Sequence, residues 1–568
     1  MESKKRWEVQ PEPDESVFRS LPEFPKPIVR ALFHRGIADA EGARVFFESE
    51  SASPADPFRL TDMERAVDRI VRAVGAGEPI VVFGDYDTDG VTATAMLVDF
   101  LSAAGGRVDA YIPSRFEEGY GLNRPALEAL SAQGARLVIT VDCGARSVAE
   151  AHFARDLGLD LIITDHHPPG ADEPAAFAFI DPKRKDDPYP DRNLSGVGVA
   201  HRLVEAVSRR IRRPDLRPED YLDLVAVGTV ADMVPLLGEN RTLVQGGLKY
   251  LNDPARPLRP GMEQLLKVAG VVRGKLSAQG IGFILGPRLN ASGRIDTADT
   301  ALHLLRSKDG GIAREYAERL DAQNRARQSL TRTTVADARS LAAASGGWDP
   351  GAPPAFILVA DAGFNPGVIG LAASKLMEEF HRPVAVVAIE GDRARGSVRS
   401  VPGFHITEAL ESCSPLLERF GGHAAAAGFT VARDRLPELQ DRLVRLAGGA
   451  LSGGAAQPVL QIDSEVRLAD LTWELHRWIA RLEPCGQGNP APVFFARGLR
   501  IRNKRCVGKD GAHLKLSLTD GRLTFDAIAF GFGRAEPSLG ETVDAAFALE
   551  ENDYYGRQMQ LRVIDLRG

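Results

Sequence analysis

A short apolar run that ends in three alternating carboxylates constrains this chain more than any other feature. In "VVFGDYDTDGVTATAMLVDFL", which starts at Val81, the acids Asp85, Asp87 and Asp89 separate the β-branched run "PIVVF" from a segment whose apolar residues recur at helical spacing. Carboxylates this close repel one another and resist ionising unless a cation or several hydrogen bonds offset their charge. A metal is therefore the first candidate. The D-x-D-x-D-G opening also matches a calcium-binding EF-hand, but that loop needs a bidentate Glu at its twelfth position, where Met96 stands, and a helix before it. What remains is a strand, a carboxylate turn and a helix. This order puts the acids at the carboxyl end of a strand, where open α/β sheets build their sites.

The 568 residues exceed one ordinary core, so roughly two to four domains are expected. "MESKKRWEVQPEPDES" lacks the charged-apolar-small pattern of an export signal, and no long uncharged apolar span follows, which predicts a cytoplasmic protein outside the membrane. Cys143, Cys413, Cys485 and Cys506 form no C-x-x-C pair and read as reduced thiols rather than a zinc or disulfide framework. A net charge of -7 disfavours indiscriminate nucleic-acid binding, yet basic residues need line only one channel. Arg497, Arg500, Arg502, Lys504, Arg505, Lys509 and Lys515 cluster near the C-terminus, a run that by itself reads as a solvated face.

Residues 1–78 are Pro-rich and then helical in pattern, and carry no recognisable chemistry. From residue 79 to about 300, apolar β-type runs ("RVDAYIP", "RLVITVD", "LDLIITD", "AFAFIDP") alternate with amphipathic ones, which predicts a parallel sheet with crossover helices. Residues 301–348 read as a connector helix that ends at "SGGWDPGAPP", and 349–448 as a second α/β domain. "GGALSGGAAQP" is a small-residue linker. Residues 457–568 are strand-rich, with turns at "GKDG", "TDG" and "NDYYG", and predict a small β-barrel.

Three further acidic or histidine motifs sit in the first α/β unit: "LVITVDCG" ends a strand with Asp142, "LIITDHH" ends another with Asp165, His166 and His167, and "VAVGTVADMVPL" carries Asp232. Singly, such an Asp is usually a helix cap and such a His a structural residue. A parallel sheet brings its strand ends to one edge, however, and so gathers these groups into one crevice. Carboxylates with one or two imidazoles and no thiolate favour Mn2+ or Mg2+ over zinc. Enough acids are present for two ions, an arrangement suited to hydrolysis at phosphorus.

In order and spacing, "GDYDTDG", "VDCG", "TDHH" and "GTVADMVPL" resemble the four motifs of the DHH phosphoesterase superfamily. "IPSRFEEGYGLN", "GPRLNASGR", "NPGVIGLAASKL", "RGSVRS", "FGGHAAAAGF", "EPCGQGNPAPVF" and "GKDGAHLKLSL" resemble its bacterial branch of single-strand-specific exonucleases. The resemblance implies a DHH domain, a connector helix, a DHH-associated (DHHA1) domain and an OB-type nucleic-acid-binding barrel. It implies that Asp87, Asp89, Asp142, His166 and Asp232 ligate two Mn2+ or Mg2+ ions, with Asp142 the bridge, and that Asp85 takes a place where many relatives use a histidine. His167 matches a histidine that touches the scissile phosphate or assists the leaving group, and Asp165 one that orients a histidine. Arg115, Arg288, Asn290, Arg294, Ser397, Arg399, Gly422 and His423 match positions that bind substrate. Phe364 and Asn365 stand where relatives often have Trp-His. The implied activity is 5′ to 3′ degradation of single-stranded DNA to mononucleotides in recombination and repair. The implied protein is a cytoplasmic monomer with a single-strand binding protein and a RecQ-type helicase as partners. Two other readings remain at this point: a small-substrate DHH phosphodiesterase, whose sequence would end after the second α/β domain, and a non-catalytic DNA-binding replication scaffold, which would have lost metal ligands.

Overall fold

A computed structural model describes residues 5–48, 54–114, 118–119, 121–295, 297–344, 354–452, 457–533, 540–552 and 556–568. The chain divides into two compact units. The first contains a five-stranded, all-parallel sheet of β1 (Pro79–Gly84), β2 (Arg107–Tyr111), β3 (Leu137–Val141), β4 (Asp160–Thr164) and β5 (Ala178–Ile180), in the order β2-β1-β3-β4-β5. The strands read as unbroken apolar runs because both faces are covered. Ile80 and Val82 point into one core with Ile139 and Ile162, whereas Val81 and Phe83 point into the other with Val138 and Ile163. The chain crosses back over β1 to reach β3, so the strand order reverses between these two, and the crevice outside their carboxyl ends is the expected binding site of such a sheet.

Around this sheet lie α1 (Thr88–Ala103), α2 (Gly196–Ile211), α3 (Leu222–Ala231) and α4 (Gly286–Ile295). The helix Met63–Ala76 joins the same core, although residues 1–78 carried no structural assignment beyond a helical pattern. Residues earlier in that segment serve the C-terminal barrel instead: Leu21, Ile28, Leu32 and Phe46 are buried with Leu475, Phe494 and Phe547. Arg241 is buried and donates to the carbonyls of Phe46 (3.2 Å), Leu482 (2.9 Å) and Glu483 (2.9 Å), which fixes the "EPCGQGNPAPVF" segment to the sheet domain.

The barrel closes through one long strand. In β11 (Phe494–Val507), the first half pairs with β14 (Thr542–Asn552) and the second half with β12 (His513–Thr519). β13 (Thr524–Ala529) and β15 (Gln558–Arg567) complete the circuit. Closure leaves these strands no open edge. "GKDG" and "TDG" lie in the connections on either side of β12; "NDYYG" includes Tyr554 and Tyr555, which lie outside the described residues.

The 35-residue helix α5 (Gly310–Ala344) begins in the first unit and ends in the second. The second unit is a mixed sheet of β6 (Ile357–Asp361), β7 (Val384–Glu390), β8 (Arg393–Arg399), β9 (Leu417–His423) and β10 (Ala426–Ala432), in the order β9-β10-β8-β7-β6, with α6 (Ile369–Phe380) against it. No helix among the described residues is long and apolar enough to cross a membrane.

Candidate metal centre

The crevice at the β1/β3 reversal gathers Asp85, Asp87, Asp89, Asp142 and His166 from strand ends and the turn after β1, and Asp232 from the C-terminal end of α3. Asp87 caps α1: its Oδ1 accepts from the backbone N–H of Asp89 (2.9 Å) and of Gly90 (3.2 Å). Asp89 in turn sits at the N-terminus of α2, where its Oδ2 accepts from Gly196 N–H (2.7 Å) and its Oδ1 from Val197 N–H (3.0 Å). Two helix N-termini thus converge on the acid loop, and their positive ends favour the carboxylates. Asp142 follows β3 in the left-handed region, at φ 63°, a conformation uncommon for a residue with a side chain. His166 follows β4, and its Nε2 lies 3.1 Å from Asp142 Oδ1 and 3.6 Å from Asp232 Oδ2.

Small residues let these groups meet. A β-carbon at Gly90 would stand 2.6 Å from the Asp85 backbone nitrogen, and one at Gly228 would stand 2.8 Å from Asp89 Oδ1. Ligand atoms of Asp85, Asp87 and Asp142 lie within 4.8 Å of one another, as do those of Asp89, His166 and Asp232.

The electrostatics are those of a site short of positive charge. Burial, then repulsion from Asp232 and Asp87, pushes the Asp89 carboxyl well above the usual carboxylate range. Burial, then Asp89, Asp87, Asp232 and Asp85, does the same to Asp142. Asp232 is pushed up to about 7 by burial and by Asp87. Burial holds His166 at about 3, so its imidazole is neutral, the form that binds a metal. Asp142 Oδ1 and His166 Nε2 are buried and make no hydrogen bond. Buried polar atoms are seldom left so. The donor set of carboxylates with one neutral imidazole fits a hard divalent cation, and these two atoms are where such an ion would find its ligands.

Asp165 occupies a different place. Its Oδ2 accepts from Ala145 N–H (2.8 Å), and its Oδ1 accepts from His166 N–H (2.7 Å) and lies 2.8 Å from His167 Nδ1. Both oxygens are thus engaged with the protein, and Asp165 fixes the orientation of His167. Burial works against a charged His167, but the hydrogen bond and charge of Asp165 outweigh it and raise its pKa. The same bond holds Asp165 below its ordinary value against the effect of its own burial.

Of the residues expected to bind substrate, Asn290 is tied to the metal loop, since its Oδ1 accepts from Thr88 N–H (2.8 Å). Arg288 and Arg294 share α4 with it. Arg288 donates from Nε to Asp321 Oδ1 (3.0 Å) and from Nη1 to the Ile284 carbonyl (2.7 Å), which holds its guanidinium in one orientation. Arg115 lies outside the described residues.

The remaining four form a separate group in the second unit. Pairing places Arg399, Ala426 and His423 in one row across β8, β10 and β9, with Val398, Ala427 and Gly422 in the next. Gly422 has φ 151° and no room for a β-carbon beside Ala427. Ser397 and Arg399 stand beside Gly370, at the N-terminal end of α6, and Arg399 Nη1 donates to Ser397 Oγ (3.2 Å). A guanidinium and a hydroxyl beside a helix N-terminus form an arrangement suited to phosphate. Asn365 terminates a turn, with its Oδ1 accepting from Gly367 N–H (2.8 Å).

Sequence reasoning missed the α2 N-terminus and the end of β5. Ser195 caps α2 through Gly198 N–H (3.1 Å) and meets Thr229 Oγ1 (2.8 Å). The signal was the Ser followed by glycines in "LSGVGVA", a cap before a close-packed turn. Asp181 ends β5 at the same sheet edge and is pushed up to about 8 by burial; the acid after "AFAFI" was its signal.

Three family models match the chain: the DHH family, N-terminal domain, over residues 79–229, the DHHA1 domain over 353–448, and the RecJ OB domain over 462–565. The chain is 38% identical over 571 residues to the single-stranded-DNA-specific exonuclease RecJ of Bacillus subtilis, with 99% of this chain and 71% of that protein covered. To the exonuclease of the same name from Escherichia coli it is 35% identical over 569 residues, covering 96% of each. Among solved structures, RecJ from Thermus thermophilus in complex with Mn2+ matches with a TM-score of 0.84 at 31% identity, covering 100% of this chain and 80% of that one. Exonuclease RecJ bound to manganese matches with a TM-score of 0.60 at 36% identity, over 68% of this chain and 95% of that one.

Proposed function

The chain belongs to the RecJ family of single-stranded-DNA-specific exonucleases, and on that premise we propose that it degrades single-stranded DNA from the 5′ end to mononucleotides with two divalent ions. It is a metal-dependent exonuclease that hydrolyses phosphodiester bonds. The observation that carries the reading is the pair of buried atoms, Asp142 Oδ1 and His166 Nε2, without hydrogen bonds among carboxylates whose pKa values are raised.

Asp85, Asp87 and Asp142 would hold one ion, and Asp89, His166 and Asp232 the other, with Asp142 Oδ1 only 3.1 Å from His166 Nε2 of the second group. When bound, such ions lower the pKa of a water and stabilise charge on phosphate oxygens. The chain's own groups do the rest. Asp87 and Asp89 are fixed by backbone N–H donors, so the ligands are in place before substrate arrives. Asp165 keeps the His167 imidazole oriented and easily protonated, which suits it to donate a hydrogen bond or proton to the phosphate or the leaving oxygen. Ser397 and Arg399 would take the 5′-phosphate, with Arg115, Arg288 and Arg294 on backbone phosphates and Gly422 and His423 facing the strand. The barrel, with exposed Arg500, Arg502 and Arg505, would extend the strand's path.

A cytoplasmic monomer that works with a single-strand binding protein and a RecQ-type helicase completes the proposal. The test is digestion of 5′-labelled and 3′-labelled single strands, with duplex controls, in Mn2+ and in EDTA. Release of the 5′ label first as mononucleotide, from single strands only and abolished by EDTA, is the expected result; release of the 3′ label first would refute the polarity.

A further inference from the structure

The ends of β4 and β5 repeat one arrangement. Register pairs Thr164 with Ile180, and the ladder runs one residue further through the bond from Asp165 N–H to the Ile180 carbonyl (3.1 Å), so Asp165 and Asp181 end adjacent strands at the same edge of the sheet. Each carboxylate then closes a turn on the residue two places on: Asp165 Oδ1 accepts from His167 N–H (3.1 Å), and Asp181 Oδ1 from Lys183 N–H (2.7 Å). Lys183 is therefore the counterpart, on the outer strand, of the histidine beside the metal centre. Its charge is free to act. The next residue, Arg184, is tied to Asp62 (3.2 Å) and Glu173 (2.7 Å), whereas the half-buried Lys183 forms no ion pair among the described residues. Asp181 does not neutralise it either, because burial pushes that carboxyl up to about 8 and leaves it mostly protonated at neutral pH.

The field of this ammonium extends to the crevice. Burial is the main cause of the low pKa of His166, and the charges of His167 and Lys183 add to it. At Asp232, burial and Asp87 raise the carboxyl, and His167 and Lys183 pull it back. A centre of five carboxylates and two divalent ions carries one net negative charge when every acid is ionised, and a phosphodiester brings another. Attack at phosphorus concentrates that charge on the phosphate oxygens, where a fixed cation stabilises it. His167 loses its own charge if it gives up its proton, so it cannot supply this stabilisation throughout. We propose that Lys183 is a further catalytic residue, whose ammonium contacts a non-bridging oxygen of the phosphate being cleaved. The inference rests on the exonuclease reading and adds to it a permanent positive charge from the β5 side of the crevice. Lysine suits the place, as a point charge on a flexible stem that can follow the phosphate as its geometry changes.

The test measures kcat and KM of full-length protein on a 5′-labelled single strand at limiting and saturating Mn2+, and Mn2+ affinity by calorimetry. It also measures kcat on bis(p-nitrophenyl) phosphate, a small diester. Lys183→Met keeps the N–H that closes the turn and removes the charge. It should lower kcat on the order of 100-fold at saturating Mn2+, leave KM little changed, and bind Mn2+ as tightly as the wild type or more tightly, since a positive charge near His166 and Asp232 is gone. Lys183→Arg should lose less. A role confined to the turn predicts the reverse, weaker Mn2+ binding with kcat restored by saturating Mn2+. That restoration, wild-type kcat in Lys183→Met, or equal losses in the Met and Arg variants overturns the proposal. If Lys183→Met melts early, Lys183→Gln decides by the same measurements. Nucleotide release by the wild type with no loss in the variants refutes the role of Lys183 alone. Cleavage of the small diester by the wild type without nucleotide release refutes the exonuclease reading alone, and Lys183 is then judged on the small diester.

Discussion

Replacing Gly196 with alanine sets helix propensity against the geometry of the metal centre. Alanine is the better helix former by about 1 kcal/mol, so propensity alone predicts a slightly more stable protein. The site predicts otherwise for function. A β-carbon at Gly196 would stand 2.6 Å from Asp142 Cβ and 2.7 Å from its Cγ. Ordinary carbon contacts begin near about 3.5 Å, so one side has to give by roughly 0.9 Å. Gly196 cannot retreat without loosening its hydrogen bond to Asp89 (2.7 Å). Asp142 is pinned by its left-handed backbone and by its N–H bond to the Thr164 carbonyl (3.1 Å). Either shift moves a side chain proposed to ligate the metal, and a misplacement of about 1 Å costs on the order of 100-fold in rate. We expect kcat/KM on a labelled single strand in Mn2+ to fall about 100-fold, near 2.7 kcal/mol of barrier, with weaker Mn2+ binding by calorimetry. Overpacking of about 1–3 kcal/mol should offset the propensity gain in denaturant unfolding. Gly75→Ala is the control, because nothing lies within 4 Å of a β-carbon there in the helix Met63–Ala76. It should gain up to about 1 kcal/mol and keep full activity. Wild-type rate and Mn2+ affinity in Gly196→Ala would refute the claim that Asp142 is a fixed ligand.

Asp165→Asn preserves shape but removes the charge that raises His167, so activity should drop about 10- to 100-fold, and the limb of the pH–rate profile that needs protonated His167 should move to lower pH; an unmoved limb would show that another group titrates. Protons compete with metal at Asp89, Asp142 and Asp232, so Mn2+ affinity should rise with pH through about 7, the value for Asp232, with proton release visible as different calorimetric heats in buffers of different ionisation enthalpy. Because these acids have folded pKa values above their unfolded ones, the metal-free protein loses stability as pH rises through the folded values, and EDTA should lower Tm more at pH 8 than at pH 6. Arg502→Ala with Arg505→Ala should make the dependence of log affinity on log salt shallower by about 1.4, at about 0.7 per phosphate of a single strand; an identical slope would return the basic run to a solvated face.

What could be read from the sequence was what depends on neighbours in the chain. Continuous apolar strands, acids at their ends and the turns flanking β12 are local patterns, and the sheet topology then brings Asp87, Asp142 and His166 together without further information. The separate place of Asp165 came from the resemblance, and its contact with His167 is local, two residues away. Partners distant in sequence were not legible. The N–H groups that hold Asp89 come from Gly196 and Val197, 107 and 108 residues further on; the Ser and glycines of "LSGVGVA" signal a helix start there but not which side chain it meets. The same holds for residues 1–78, whose helical pattern says that a face is buried but not against what; part of it packs on the barrel and part on the sheet. The resemblance names Asn290 as a substrate residue; that its side-chain oxygen also accepts from Thr88 N–H in the acid loop, 202 residues earlier, was not legible.

The same electrostatics explain why the opening motif was so conspicuous. The fold supplies the acid cluster with two helix N-termini and four backbone N–H donors, to Asp87 and Asp89. That positive charge remains insufficient, since burial and mutual repulsion still leave Asp89, Asp142 and Asp232 raised. Full backbone compensation would have given a rigid anionic pocket with little appetite for a cation, and no compensation would have driven the strand ends apart. The intermediate state keeps the ligands in place while leaving the site's remaining charge for divalent ions to neutralise. Three carboxylates at alternate positions after a strand are therefore a durable signal, because such crowding has to be relieved by protons, by hydrogen bonds or by a cation.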